Sequence, residues 1–501
     1  MRATVSAAVA LWLAPILAVG LIGLGVPFWM SIAAAALLAA AAGMLAGGRL
    51  AAAVAPAVAG RPLLAAAALV VATAAIVQIS RVSVFMVDTS RSSYSAMADP
   101  WRTAHCCLTA YAEAARFVES GGVNIYQAGL YEPRQLGPLK VDTYHYPPPF
   151  LLAPRALRLI TDDFFRIREL WFAAQAIVLG TGVAGAALWI GGLGGAYALL
   201  GGVAFLAVPT VLFALQMGNF QTTAMVFGLA AMICLLTERV RRGALLMAYV
   251  GASKVFPGIL LVYLAAARKW RTLAWVAGMS GALLLVTLAV FGGRPFKDFV
   301  AHELPAISNG SAFPQSERPT VASANQSVYG LTVRLRLLGA SALDQRTGLR
   351  ITSVYGLFII GLAALAGWKG TRDLGTPERR ADLVLMTLGL LSLASFRSPF
   401  VGGGYGLVST FWIVAILAAT ARTRTSALMW ALTFVVLATG NRLTPSPAPG
   451  NAHTAFWLAA SAVLFAIAVV INGWAVARAI RWRQARTEEP ALSSAALAVE
   501  N

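Results

Sequence analysis

Lys254 stands at the centre of an apolar run, within the stretch "GASKVFPG" at 251–258. An ammonium at such a depth is expensive unless it faces a polar cavity, and there it can hold an anion as a compact point charge. Pro257 removes a backbone donor, and Gly251 and Gly258 loosen the chain around it. The run is therefore expected to break into two half-helices that meet near Lys254. A second stretch, "VDTYHYPPPFLLAP" at 141–154, sets Tyr144, His145 and Tyr146 before three consecutive prolines. Such prolines enforce an extended backbone that cannot continue a helix, and membrane depth tolerates it only along a protein-walled cavity. The three rings then stand at a water boundary, where an aromatic body and a polar tip both fit. Cys106, Cys107 and Cys234 offer neither a disulfide framework nor metal-ligand spacing, so no metal and no cofactor is expected.

The elements that must position these groups are membrane helices. Of 501 residues, 59% are hydrophobic and 12% charged, whereas a soluble domain carries about 25% charge. Apolar runs of about 20 residues, enough to cross a bilayer, recur throughout. The expected fold is all-α and polytopic, with about 13 spans if the broken segment counts once. They lie at 5–26, 29–47, 62–87, 170–189, 195–213, 220–237, 243–267 (broken), 271–291, 351–367, 382–396, 405–420, 426–440 and 455–477. The first run is read as a span rather than a leader, because a second apolar run follows it at once. The net charge of +19 is scattered in short clusters at span ends, which suits helix orientation and anionic lipid rather than nucleic acid.

Short basic loops at Arg49/Arg61, 237–242, 268–271, 368–380 and 421–425, and the tail at 477–486, all fit the cytoplasmic side. The outer face then receives the long segments 88–169 and 292–350, with "SFRSPFVGGGYG" (395–406), 441–454 and the turn "MGNFQ" (217–221). The histidines fall on that face, so chemistry is expected to be extracytoplasmic.

These segments carry a family resemblance. Tyr111 with Ala114 and Ala115, "YHYPPPFLLAPRAL", "MGNFQTTAMVFGLAAM", "GASKVFPGILLVYLAAARKWR", "NQSVYGLTVRL" and "SFRSPFVGGGYGL" occur in this order over roughly residues 80–420. The set resembles glycosyltransferase family 87, polyprenol-phosphate-sugar-dependent enzymes of the GT-C fold, many of them mannosyltransferases. The resemblance implies an inverting sugar transfer, most readily of mannose, from a polyprenyl-phosphate donor to a lipid or glycan acceptor. It would take place at the outer face of the plasma membrane. A lipid-linked donor also accounts for the lack of a nucleotide-binding glycine fingerprint.

That reaction needs a proton acceptor for the acceptor hydroxyl and positive charge for the leaving phosphate. The family carries an Asp four residues before the Tyr of its Tyr-x-x-Ala pattern; here Cys107 takes that place. Asp88, Asp99 and His105 are the nearby candidates for the base, while Glu113 and Asp142 read as loop charges. For the phosphate the candidates are Lys254, Arg397, Arg334 and Arg336, with Arg442 as an alternative interface anchor. Tyr144, His145, Tyr146, Asn219, Gln221, Asn325 and Gln326 are candidates for a sugar or acceptor groove. The asparagines serve equally well as turn and cap residues.

Residues 1–61 are expected to be a two-span extension, 62–480 the catalytic core, and 481–501 a disordered cytoplasmic tail. Two rival classes share some of these features. A transporter or flippase would also want a broken helix and a buried cation, though it would bring paired broken segments in two repeats. A non-catalytic scaffold would suit the Cys at position 107.

Overall fold

A computed structural model describes residues 1–90, 106–370, 374–402, 406–421, 423–440 and 451–481. The described residues are mostly helical. The chain opens with α1 (Arg2–Gly23), α2 (Phe28–Val58) and α3 (Pro62–Val87). A first insert holds α4 (Cys107–Ser120), the small hairpin β1 (Gln135–Leu136) and β2 (Leu139–Lys140), a 3-10 turn at Pro148–Leu151 and α5 (Leu152–Arg158). There follow α6 (Phe164–Ile190), α7 (Gly192–Leu206), α8 (Pro209–Gln216), α9 (Gln221–Leu236), α10 (Val240–Ser253), α11 (Ile259–Ala266) and α12 (Trp270–Phe291). A second insert contains α13 (Arg294–Asp298), a π-turn at Phe299–Glu303, α14 (Leu304–Ser308), α15 (Pro319–Ala324) and α16 (Val328–Leu337). The chain continues through α17 (Gln345–Lys369), α18 (Pro377–Ser395), α19 (Val408–Ala419), α20 (Arg424–Gly440) and α21 (Asn451–Arg481).

Among the described residues, each segment read as a span is largely helical, and seven helices (α1, α2, α3, α6, α12, α17 and α21) are long and apolar enough to cross a membrane. The pair α7 and α8 departs from expectation. Read from sequence as one span at 195–213, it is bent by 63°. Pro209 sits in the first turn of α8 behind an extended Val208, where its missing N–H costs nothing but the preceding helix cannot pass through. The run around Lys254 breaks where expected. α10 ends at Ser253, Lys254 is extended (φ −136°, ψ 123°), and a 3-10 turn at Phe256–Gly258 leads into α11.

Small residues set the packing of the first helices. Ser31, Ala35, Ala39, Gly43 and Gly47 recur at every fourth position of α2 and are all buried. Gly43 and Gly47 meet Ser6 and Ala10 of α1 so closely that a side chain at either would collide with it. Close backbone approach through small residues is how helices associate where lipid supplies no hydrophobic drive. α1 docks in turn on α6, with Arg166 Nε donating to the Gly23 carbonyl at 3.0 Å. Residues 1–61 thus lie against the core, not apart from it.

α18 is buried around its circumference, and its Asp382 is paired with Arg478 of α21 at 2.7 Å. This axial helix ends at Ser395, so its C-terminus delivers the "SFRSPF" segment to the bundle end where both inserts gather.

Candidate active site

The two inserts and the helix ends beneath them enclose one cavity of about 1700 Å³. Its walls come from α4, the Tyr-His-Tyr-Pro segment, the α8–α9 turn, the break at Lys254, the second insert, α17 and the segment after α18.

Tyr146 is the organising residue of one wall. The prolines after it start a 3-10 turn that buries Phe150, and Phe150 stacks on Tyr146 at 4.9 Å. Tyr111, fully buried in α4, donates its hydroxyl to Tyr146 Oη at 2.8 Å. Burial pushes the Tyr111 hydroxyl well above the ordinary phenol range, so it stays protonated and a donor. Tyr126 Oη donates to the Tyr146 carbonyl at 3.0 Å. Lys254 Nζ then donates to Tyr146 Oη at 3.0 Å and lies 4.4 Å from the ring centroid. The stiff proline corner therefore aims an aromatic hydroxyl at the lysine freed by the helix break.

Arg397 lines the same cavity. It crosses α17 over Gly356, where a Cβ would fall 2.5 Å from Arg397 Nε, so a side chain there would push the guanidinium arm aside. Arg318, which the sequence reading passed over, is a third cation on the wall. None of Lys254, Arg318 and Arg397 has a carboxylate partner among the described residues, whereas Lys140 on the same wall is paired with Glu132 at 3.4 Å.

His145 and Glu303 meet across the two inserts. His145 Nδ1 is 2.8 Å from Glu303 Oε1, and both residues line the cavity. Phe313 packs against the imidazole at 4.8 Å and stacks with Phe400 at 5.7 Å. Asp142 also faces the cavity, although it was read as a loop charge; Glu113 is one, paired with Arg116 and Arg134. Cys107 lines the wall and accepts from Asn219 Nδ2 at 3.2 Å.

The structure gathers His145, Tyr146, Asn219, Gln221, Lys254 and Arg397 at the cavity. It places others elsewhere. Asp88 ends α3 and is not among the residues that line the cavity; its carboxylate accepts from the Ser90 amide at 3.0 Å. Asp99, His105 and Arg442 lie outside the described residues. Arg334 is fully buried and donates to the carbonyls of Ala322 and Asn325, so its charge serves backbone acceptors, not a ligand. Arg336 is held in an ion pair with Glu317. Tyr144 is buried, with its hydroxyl on the Pro147 carbonyl at 3.2 Å. Asn325 donates to the Pro399 carbonyl and accepts from the Val401 amide, both at 2.9 Å, and Gln326 donates to Ser461 at 3.1 Å. This last pair braces the segment that carries Arg397 without reaching the cavity.

Glu303 escaped the sequence reading because nothing local links it to His145. One signal was available: the second insert holds four acidic residues. Asp298 pairs with Arg294, Glu317 with Arg336, and Asp344 caps α17, which leaves Glu303 as the acid of that set on the cavity wall.

The fold and cavity define a polytopic helical membrane protein with a cation-rich site between its loops. The model of glycosyltransferase family 87 matches residues 144–395, just over half of the chain. The chain belongs to that family and is a glycosyltransferase, as the order of its motifs implied. No curated protein and no solved structure matches it. The matched region takes in Tyr146, Lys254 and Glu303 and leaves out Cys107 and Arg397.

Proposed function

We propose that this glycosyltransferase moves a sugar, with mannose the first candidate, from a polyprenyl-phosphate donor to a lipid or glycan acceptor. In this reading the reaction inverts the anomeric centre and runs on the extracytoplasmic face of the plasma membrane. The 13 helical segments then act as spans of a GT-C arrangement, with the chain dipping in and out around Lys254 and the helices of the first insert near the membrane surface.

One observation carries the reading. Three cations without carboxylate partners share a cavity whose apolar side runs out onto Leu357 and Ile360, exposed on α17, and onto exposed Val255. A phosphate on a long apolar tail suits such a wall: the head meets Lys254, Arg397 and Arg318, and the tail leaves through the side of the bundle. The same cations stabilise the phosphate as it departs with the bonding electrons, Lys254 from its half-buried place at the helix break and the two arginines from the more open wall. Sugar hydroxyls would meet Tyr146, Asn219 and Gln221, with Asp88, Asp99 and His105 the sequence's nominees for the proton acceptor.

Purified protein given radiolabelled polyprenyl-phosphate-mannose and a membrane lipid extract should form a labelled product, and a nucleotide-linked mannose should not replace the donor. Absence of transfer from every polyprenyl-linked sugar, together with donor-independent lipid movement in vesicles, would replace this reading with a transporter or flippase.

A further inference from the structure

We infer that His145, oriented by Glu303, is the proton acceptor of this enzyme, in place of the carboxylate that Cys107 has displaced; the inference rests on the sugar-transfer reading. Four observations meet here. Cys107, where the family resemblance implies a carboxylate, presents a thiol to the wall, its sulfur accepting from Asn219 at 3.2 Å. Asp88, which ends α3, is not among the residues that line the cavity. Glu303, only 3% exposed, turns toward the cavity from a π-turn, a local widening of the helix that recurs at functional sites. Its Oε1 lies 2.8 Å from His145 Nδ1.

A hydrogen bond from Nδ1 to a carboxylate leaves Nε2 as the basic nitrogen of a neutral imidazole, and the carboxylate then steadies the imidazolium that forms. Among the described residues nothing else is hydrogen-bonded to the His145 ring. Phe313 fixes its plane from the side. His145 also adjoins Tyr146, whose hydroxyl accepts from Lys254, so proton acceptor and phosphate cation are set by consecutive residues of one stiff segment.

The step balances without a co-reactant. The acceptor hydroxyl oxygen bonds to the anomeric carbon while the bond from that carbon to the phosphate oxygen breaks. The electron pair leaves on the polyprenyl phosphate, and the hydroxyl proton passes to His145 Nε2 and then to solvent. His145 is the catalytic residue in this account and Glu303 a positioning residue. The other charged groups on the cavity wall are Glu132, Lys140, Asp142, Lys254, Arg318 and Arg397, of which Glu132 and Lys140 pair with each other.

The test is transfer from polyprenyl-phosphate-mannose to a membrane lipid extract in wild type, His145→Asn, His145→Gln, Glu303→Gln and Glu303→Asp. Binding of polyprenyl phosphate is measured beside each. The Asn and Gln variants keep a donor toward Glu303 but have no base; they should lose about 10²–10³-fold in kcat and keep binding. Glu303→Gln should lower kcat about tenfold with KM for the donor unchanged. Glu303→Asp, which keeps the carboxylate, should recover most of that loss.

Transfer by either His145 variant within about fivefold of wild type overturns the inference while leaving the sugar-transfer reading intact. So does a Glu303→Gln variant with wild-type kcat, a Glu303→Asp variant no better than Glu303→Gln, or loss of polyprenyl-phosphate binding in both His145 variants. Wild type that transfers from no polyprenyl-linked sugar overturns the sugar-transfer reading, and this inference with it.

Discussion

The cavity wall around Lys254 and the neighbouring segment from Asn325 to Arg334 make an instructive pair. Both are polar stretches set in an apolar chain, both fall within the region matched by the family model, and both carry a cation. Around Arg334 the side chains are consumed. The guanidinium serves two backbone carbonyls, Asn325 bridges Pro399 and Val401, and Gln326 reaches Ser461. Around Lys254 the ammonium has a neutral hydroxyl for company and a cavity of about 1700 Å³ in front of it. A buried polar group must find a partner, and the difference lies in whether the protein supplies that partner or leaves the place to a ligand. The first kind holds the fold together; the second can do work on a substrate.

Variants should separate the two kinds, and the sharpest contrast is at the cations. Lys254→Met is expected to lower kcat/KM for sugar transfer by about 10³-fold with little change in thermal stability in detergent. A matching loss of Tm would erase the contrast. Arg334→Ala should do the reverse. Stranding two buried carbonyls and opening a void costs about 3 kcal/mol, read as a fall in Tm and yield, while the molecules that remain folded keep their specific activity. If specific activity collapsed instead, Arg334 would belong with the ligand-facing group.

Smaller effects sharpen the picture. Tyr146→Phe removes the hydroxyl that accepts from Tyr111 and Lys254 and should cost about tenfold in kcat, with the stacked ring and the fold intact. Gly356→Ala places a methyl against Arg397 and should weaken donor binding several-fold, seen as a raised KM with kcat nearly unchanged. Arg318 is exposed on the wall and well solvated, so Arg318→Ala should change donor KM by about threefold at most.

Reading residues along the chain went furthest where the physics is local. Pro257 and its flanking glycines forecast the break at Lys254 because a missing N–H interrupts a helix wherever it occurs. The three prolines forecast the stiff corner at Tyr146 for the same reason. The bend at Val208–Pro209 rests on the same logic but was hidden inside an apolar run that passes for a single span. The site was legible only as a shortlist. Tyr144 and Tyr146 differ by two positions, yet one is sealed under the corner and the other faces the cavity. Arg334 and Arg336 looked like phosphate ligands because a guanidinium's taste for oxygen does not say whether the oxygen is a carbonyl, a carboxylate or a phosphate.

The sequence by itself determined the membrane class, the helical segments, the break at Lys254 and, through the order of its motifs, the family. Those follow from hydropathy, from backbone chemistry and from patterns that are linear in the chain. Only the tertiary structure decided which polar groups keep a free face. His145 and Glu303 are 158 positions apart and meet at 2.8 Å because two inserts fold over the same bundle end. Arg334 is spent because α16 packs against the backbone ahead of it. Pairing across such distances is set by how whole elements stack, and no spacing along the chain records it.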